Sequence, residues 1–290
     1  MAIYTPPQVE QTPDELLECF HTFQREHALK RLTFRGIQWQ YISCGKGDQI
    51  LVVLPGAFRQ SVSAFNFIRL FEDSYRVITP SYPPIHSVEE MMAGLIHILD
   101  NEGIPIASIL GQSYGGWMAQ LLIRCYPAHF DKLILSSTGP LTVTKNEESL
   151  LPLLIKLLPV IPTGMLRKLL KRGFRSELPN FPLQERPFWE TFSAGLFERL
   201  TKADILSHFL VAKDAIDQGY MFGQGEKSGW EGKVLIVGSD SDKYVSGKDH
   251  ERLLEVYPQA KITIIANAGH VVAISEPARF VVTVREFLNS

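Results

Sequence analysis

The spacing of apolar residues changes repeatedly along the chain, and each change marks an element. Leu16, Phe20 and Phe23 recur at helical spacing behind Thr12, Pro13 and Glu15, which read as an N-cap, a first-turn proline and the third member of a capping box. A short N-terminal helix is expected there, with one face packed on the main body. Residues 32–44 alternate and are rich in strand formers, and 50–54 form a continuous apolar run that ends at Pro55-Gly56, the mark of a buried strand. Helical text at 61–72, strand text at 76–79, helix at 88–101, strand at 106–110, helix at 114–126 and strand at 132–136 follow in turn. This alternation predicts repeated βαβ units in an α/β fold, a mostly parallel sheet with helices on both faces.

Between residues 139 and 225 the strand signal stops. The stretch is rich in Leu, Phe, Lys and Arg and is broken by Pro159, Pro162, Pro179 and Pro182, which predicts an inserted helical cap or lid. Strand text returns at 234–237 and 261–265, with helices expected at 249–257 and 277–288. The expected organisation is an N-terminal extension and helix over 1–31, an α/β core over 32–138 and 226–290, and a cap over 139–225. The most lipid-like segment, 150–161, contains Pro152, Lys156 and Pro159 and falls short of the roughly 20 apolar residues of a membrane span, so it reads as part of an apolar lid.

Composition narrows the function classes. With 290 residues, 45% of them hydrophobic and 21% charged, the chain can bury a sizeable core, and a net charge of -2 gives no basic footprint for nucleic acid or an anionic membrane. Cys19, Cys44 and Cys125 are odd in number and lack C-x-x-C spacing, which argues against a disulfide framework and a structural zinc site and points to a reducing cytoplasm. No basic stretch followed by an apolar one occurs in residues 1–13, so no secretory signal is expected. No G-x-G-x-x-G follows a strand, and neither a Walker A pattern nor H-E-x-x-H is present, so no cofactor or metal is expected.

The chemistry-bearing residues lie at the ends of predicted strands. Gly111-Gln112-Ser113-Tyr114-Gly115 matches G-x-S-x-G. With Gly and Ser at ~7% each, that pattern arises by chance in roughly one chain in ten of this length, so its context carries the weight. A buried strand leads in and an amphipathic helix leads out, as a nucleophile elbow requires. A serine hydroxyl needs a base within hydrogen-bond reach, and of the eight histidines His270 stands out, because it follows a strand and the loop Ala266-Asn267-Ala268-Gly269 on the rim of the expected sheet. The carboxylate that fixes the imidazole tautomer is Asp240 or Asp242, both just past the strand at 234–237. For an oxyanion hole, the Tyr114 amide supplies one donor and the Ala57 amide, after Pro55-Gly56, the other.

These motifs, in the order Ser, Asp, His, resemble the α/β-hydrolase superfamily over about residues 32–288. Gly111–Gly116, Asp242-Lys243-Tyr244-Val245, and Ala268-Gly269-His270 with Glu276-Pro277 carry the likeness. In that family the acid commonly stands three residues before an apolar residue that closes its loop, which selects Asp242 by its spacing to Val245. The resemblance implies a cofactor-independent serine hydrolase that attacks a carbonyl, with a carboxylic ester as first substrate and amides, thioesters or C–C bonds beside a ketone served by the same machinery. Members that act as dehalogenases or epoxide hydrolases carry aspartate where Ser113 stands. Pro55-Gly56 in place of His-Gly, and Ser81-Tyr82-Pro83-Pro84 in place of Asp-x-x-Gly, resemble the maspardin-like branch, which implies a catalytically silent binding protein as the alternative. Phe58, Phe188 and Trp189 are the expected substrate-binding residues, and Leu153, Leu157, Met165 and Phe174 the further apolar lid residues available to shape a pocket for an apolar group.

Overall fold

The computed structural model describes residues 11–290; the leader-free reading of residues 1–10 lies outside them. Helix α1 (Pro13–Glu26) opens with the expected capping box, in which the Thr12 hydroxyl accepts from the Glu15 amide and the Glu15 carboxylate accepts from the Thr12 amide. Leu16 and Phe23 are buried beneath it, and Phe20 and Phe23 meet Phe65 at 5.2 Å between ring centroids.

The alternating stretch at 32–44 is two strands, not one. β1 (Lys30–Phe34) and β2 (Ile37–Cys44) form an antiparallel hairpin through Arg35 and Gly36, whose φ angles of 50° and 79° are those of a two-residue turn with both central residues left-handed. Phe34 and Ile37 pair across the turn, so Leu32 and Phe34 share a face with Ile37, Trp39 and Tyr41, and the period-2 pattern changes phase there.

The chain then runs β3 (Ile50–Leu54), α2 (Phe65–Phe71), β4 (Arg76–Ser81), α3 (Val88–Asn101), β5 (Ala107–Gln112), α4 (Tyr114–Cys125) and β6 (Phe130–Ser136). Four helices follow without a strand: α5 (Lys145–Leu157), α6 (Thr163–Arg175), α7 (Arg186–Arg199) and α8 (Lys202–Asp217). β7 (Lys233–Ser239), α9 (Gly247–Val256), β8 (Lys261–Ile265), α10 (Val272–Ser275) and α11 (Pro277–Leu288) complete it. The sheet has eight strands in the order β1-β2-β4-β3-β5-β6-β7-β8, parallel from β4 through β8, with the β1–β2 hairpin antiparallel at one edge. This is the α/β-hydrolase fold.

Adjacent strand residues serve opposite faces. Val52, Leu54, Ile109 and Leu133 join the cluster under α3, α4 and α9, whereas Leu51, Val53, Leu110 and Ile134 join the one under α2 and α11. From β3 the chain passes to β4 on one side and returns to β5 on the other. That reversal is a topological switch point, and a crevice opens beyond the carboxyl ends of the strands there. Among the described residues no helix is long and apolar enough to cross a membrane.

Candidate active site

Ser113 stands in the crevice at the exit of β5, where it is the N-cap of α4 with φ 52° and ψ −119°. An L-residue adopts that backbone only when its surroundings impose it. A Cβ on Gly111 would come within 2.3 Å of the Gly115 carbonyl oxygen, and one on Gly115 within 2.1 Å of the Leu54 oxygen, so the turn closes only with glycine on both sides of the serine. The Ser113 amide donates to the Ser136 carbonyl at 2.9 Å and pins the turn to β6.

His270 arrives from the loop after β8, and its backbone is clamped on both sides. Its amide donates to the Glu177 carboxylate at 2.9 Å, and its carbonyl accepts from Gln112 Nε2 at 3.0 Å, while Gln112 Oε1 in turn accepts from the Ser136 hydroxyl. The imidazole lies between the other two predicted residues, with Nε2 2.9 Å from Ser113 Oγ and Nδ1 2.9 and 3.0 Å from the Asp242 carboxylate oxygens. The Asp242 side chain is fully buried, and its Oδ1 also accepts from the Tyr244 and Val245 amides, which is the physical content of the three-residue spacing to Val245. Burial by itself would push the Asp242 carboxyl up. The hydrogen bond from His270, the imidazole's charge and the two amides outweigh burial and hold it below the usual carboxylate range. Asp240 lies elsewhere, accepting from the Asn267 amide at 2.7 Å in an exposed position.

Ala57 lies in the turn after β3, closed by the Arg59 amide donating to the Gly56 carbonyl at 3.0 Å, and Tyr114 is the first residue of α4. Neither amide donates to a protein acceptor among the described residues. Ser113, His270 and Ala57 line a cavity of about 420 Å³ whose walls are largely apolar, with Phe58, Leu170, Phe174, Trp189 and Phe192 among them.

Phe188 is not among these lining residues. It packs against Phe20 of α1 and stacks on Phe192, and it lines a separate depression shared with Leu17. Successive helical residues point about 100° apart, and here the turn separates Phe188, on the α1 side, from Trp189. Trp189 faces the cavity, anchored by Nε1 donating to the Glu185 carboxylate at 2.9 Å. Leu153, Leu157 and Met165 are exposed and also lie outside the cavity lining.

Two features escaped the sequence reading. Glu177, buried in the turn after α6, carries the His270 amide. Arg59, 2% exposed and left-handed at φ 62°, donates through Nη2 to the Pro83 carbonyl and the Ser207 hydroxyl, while its carbonyl accepts from the Tyr82 amide and the Tyr82 hydroxyl donates to the Pro55 carbonyl. Its Nε and Nη1 have no hydrogen-bond partner among the described residues. His208 stacks on Tyr114 at 3.9 Å, and burial, aided by the Arg59 charge, pulls its pKa down to about 3, so it is neutral. The loops Pro55–Arg59 and Ser81–Pro84, read separately as departures from the family pattern, are thus one hydrogen-bonded unit with α8. Nothing local in the sequence announces this, because its three parts are far apart in the chain.

Residues 51–283 match the model of the alpha/beta hydrolase family. The sn-1-specific diacylglycerol lipase ABHD11 of Mus musculus is 24% identical over 212 residues, 71% of this chain and 67% of that protein. Epoxide hydrolase 4 of Mus musculus is 26% identical over 121 residues, 38% of this chain, and the match spans only 34% of that relative's length. Among solved structures, a thermophilic esterase from Thermogutta terrifontis aligns with a TM-score of 0.72 at 16% identity, covering 90% of this chain and 98% of that one. At that identity the likeness is one of fold.

Proposed function

The chain belongs to the alpha/beta hydrolase family, and from that membership we propose that it is a serine hydrolase acting on a carboxylic ester with an apolar acyl or alcohol group. The observation that carries the reading is the unbroken hydrogen-bonded line from Ser113 Oγ through His270 to Asp242, opening on an apolar cavity. In the proposed reaction His270 Nε2 takes the hydroxyl proton as Ser113 Oγ attacks the ester carbonyl. The Ala57 and Tyr114 amides stabilise the oxyanion, aided by the positive end of α4. The tetrahedral species collapses, the alcohol leaves with the proton from His270, and an acyl-Ser113 remains. Water, deprotonated by His270, attacks that acyl group, and the imidazolium returns the proton to Ser113 Oγ as the acid is released. Asp242 stays ionised and holds the imidazole in the tautomer that presents a bare Nε2 to the serine. Residues 139–225 serve as the cap that closes the cavity, supplying Phe174, Trp189 and Phe192 to its walls.

A series of p-nitrophenyl esters of increasing acyl length tests the substrate class. Turnover is expected to rise with chain length until the cavity is filled, and Trp189→Ala is expected to shift the optimum toward longer chains while Phe188→Ala leaves it in place. A folded chain that hydrolyses none of the series would overturn the ester reading and favour a binding role.

The Arg59 network gives a further expectation. Arg59→Met removes the tether of the turn that aims the Ala57 amide. Loss of a whole oxyanion donor costs about 10²–10³ in kcat, so misaiming it is expected to lower kcat by about tenfold to a hundredfold with KM little changed. Steady-state kinetics on one ester decide it, and an unaltered kcat with a lowered melting temperature would make Arg59 a fold residue only.

A further inference from the structure

The leucines of the inserted segment stand largely in solvent. On α5, Leu150, Leu153, Leu154 and Leu157 are 61, 54, 37 and 47% exposed, and no residue of that helix is buried. They recur at i, i+3, i+4 and i+7, so they form one continuous stripe, turned outward where an amphipathic helix of a closed protein turns it inward. Val160 just beyond is 75% exposed, and on α6 Met165 and Leu169 are 53 and 58% exposed. Seven of the fifteen exposed large hydrophobic residues among the described ones therefore fall within residues 150–169. Singly scattered exposed side chains need no explanation, but a concentration of this kind marks an interaction surface.

The next helix, α6, is basic. Residues 163–175 contain Arg167, Lys168, Lys171, Arg172 and Arg175 and no Asp or Glu, in a chain whose net charge is -2. Glu198 pairs with both Arg167 and Lys171, and Glu190 pairs with Arg175. Lys168 and Arg172 are exposed, and at positions 165, 168, 169 and 172 they share one helical face with Met165 and Leu169. Lys156 is exposed on α5, while the acids Glu147 and Glu148 sit at that helix's other end. A net charge near zero conceals this segregation, which is why composition pointed away from an anionic surface.

We propose that this face docks on an anionic lipid bilayer. The α5 stripe, Val160 and Met165 enter the boundary between headgroups and acyl chains, and Lys156, Lys168 and Arg172 meet the headgroup phosphates. A second copy of the chain fits the face less well, because residues 150–175 contain no carboxylate to pair with the copied Lys156, Lys168 and Arg172. Leu169 connects docking to the site, since it is exposed on the outer face and also lines the Ser113 cavity with Leu170, Gly173 and Phe174. Docking therefore places the cavity rim at the lipid surface and makes an acyl ester drawn from that surface the substrate. This last step rests on the serine-hydrolase reading; the docking itself does not.

Co-sedimentation of the Ser113→Ala protein with vesicles tests docking without turnover. Binding to phosphatidylcholine–phosphatidylglycerol vesicles is expected to exceed binding to phosphatidylcholine alone by about tenfold or more, the scale set by a few cations at a charged surface, and to weaken as salt is added. Leu153→Asp with Val160→Asp should reduce binding to background, and Lys168→Glu with Arg172→Glu should remove the preference for anionic lipid. In the wild-type background the Leu153→Asp, Val160→Asp pair should keep its rate on a short monomeric ester and lose its rate on a long-chain ester presented in anionic vesicles. No partition of the Ser113→Ala protein at low salt, or equal partition of the variants, would overturn the docking. So would a dimer that these variants dissolve in a protein that ignores vesicles. Docking without hydrolysis of any ester would leave the surface standing and remove only the substrate step.

Discussion

A fluorophosphonate probe is expected to modify the folded protein at one residue, Ser113, because only a serine with an adjacent base reacts at a useful rate. Ser113→Ala should abolish both labelling and ester turnover. His270→Ala should slow labelling by at least about a hundredfold, the scale of general-base assistance, and lower kcat by roughly 10⁴–10⁶, as removal of one member of a cooperative set does. Intact-mass spectrometry after labelling, with peptide mapping, gives stoichiometry and site. The structural ground is the 2.9 Å contact between His270 Nε2 and Ser113 Oγ, held by a histidine whose amide and carbonyl are both bound by side chains. An unlabelled folded protein, beside a serine hydrolase that reacts in the same tube, would remove the catalytic reading altogether.

Asp242→Asn is expected to lower kcat by about 10³–10⁴ with little change in fold, since an amide holds the imidazole in place but favours the wrong tautomer. Asp240→Asn should leave kcat within about threefold, because among the described residues its carboxylate accepts only from the Asn267 amide and does not reach His270. The pH profile gives a second check. Asp242 is held below the usual carboxylate range, so it stays ionised throughout that range. The pH–rate profile should accordingly show no limb from Asp242 within the ordinary carboxylate range. Because its folded pKa is depressed, the carboxylate also stabilises the fold above its ordinary range and loses that contribution as pH falls through the lowered value. Acid denaturation of Asp242→Asn, which lacks the titrating group, should accordingly begin from a less stable protein and depend less steeply on pH. Equal kinetic losses in the two variants would move the orienting role away from Asp242 alone.

Much of this site is legible in the sequence. Strand, turn and helix around Ser113 are local events, and their signals are short-range: an apolar run, two glycines that the turn's contacts require, and a helix beyond. His270 and Asp242 were legible for the same reason, each lying in a loop just past a strand of a sheet whose order follows from the βαβ pattern. The choice between Asp240 and Asp242 needed family spacing, and the structure supplies its cause in the two amides that bind Asp242 Oδ1. The β1–β2 reversal lies in a phase change of the alternation, from Leu32 and Phe34 to Ile37, Trp39 and Tyr41, which treating 32–44 as one alternating stretch passes over.

What the sequence determined by itself, then, was the class of fold, the elbow and the identity of the residues that meet there, since periodicity and turn chemistry act over a few residues. Tertiary structure alone decided which side of each inserted helix faces inward. Phe188 and Trp189 are neighbours in sequence, yet only Trp189 reaches the cavity, and Leu153, Leu157 and Met165 face solvent although their composition is that of a pocket. It also decided that Arg59, Tyr82 and Ser207 form one unit behind the turn after β3, and that Glu177 supports His270. The physical reason is common to these cases: a helix's apolar residues state that it has a face, but the partner of that face, and the partner of a buried charge, are set by packing between segments far apart in the chain.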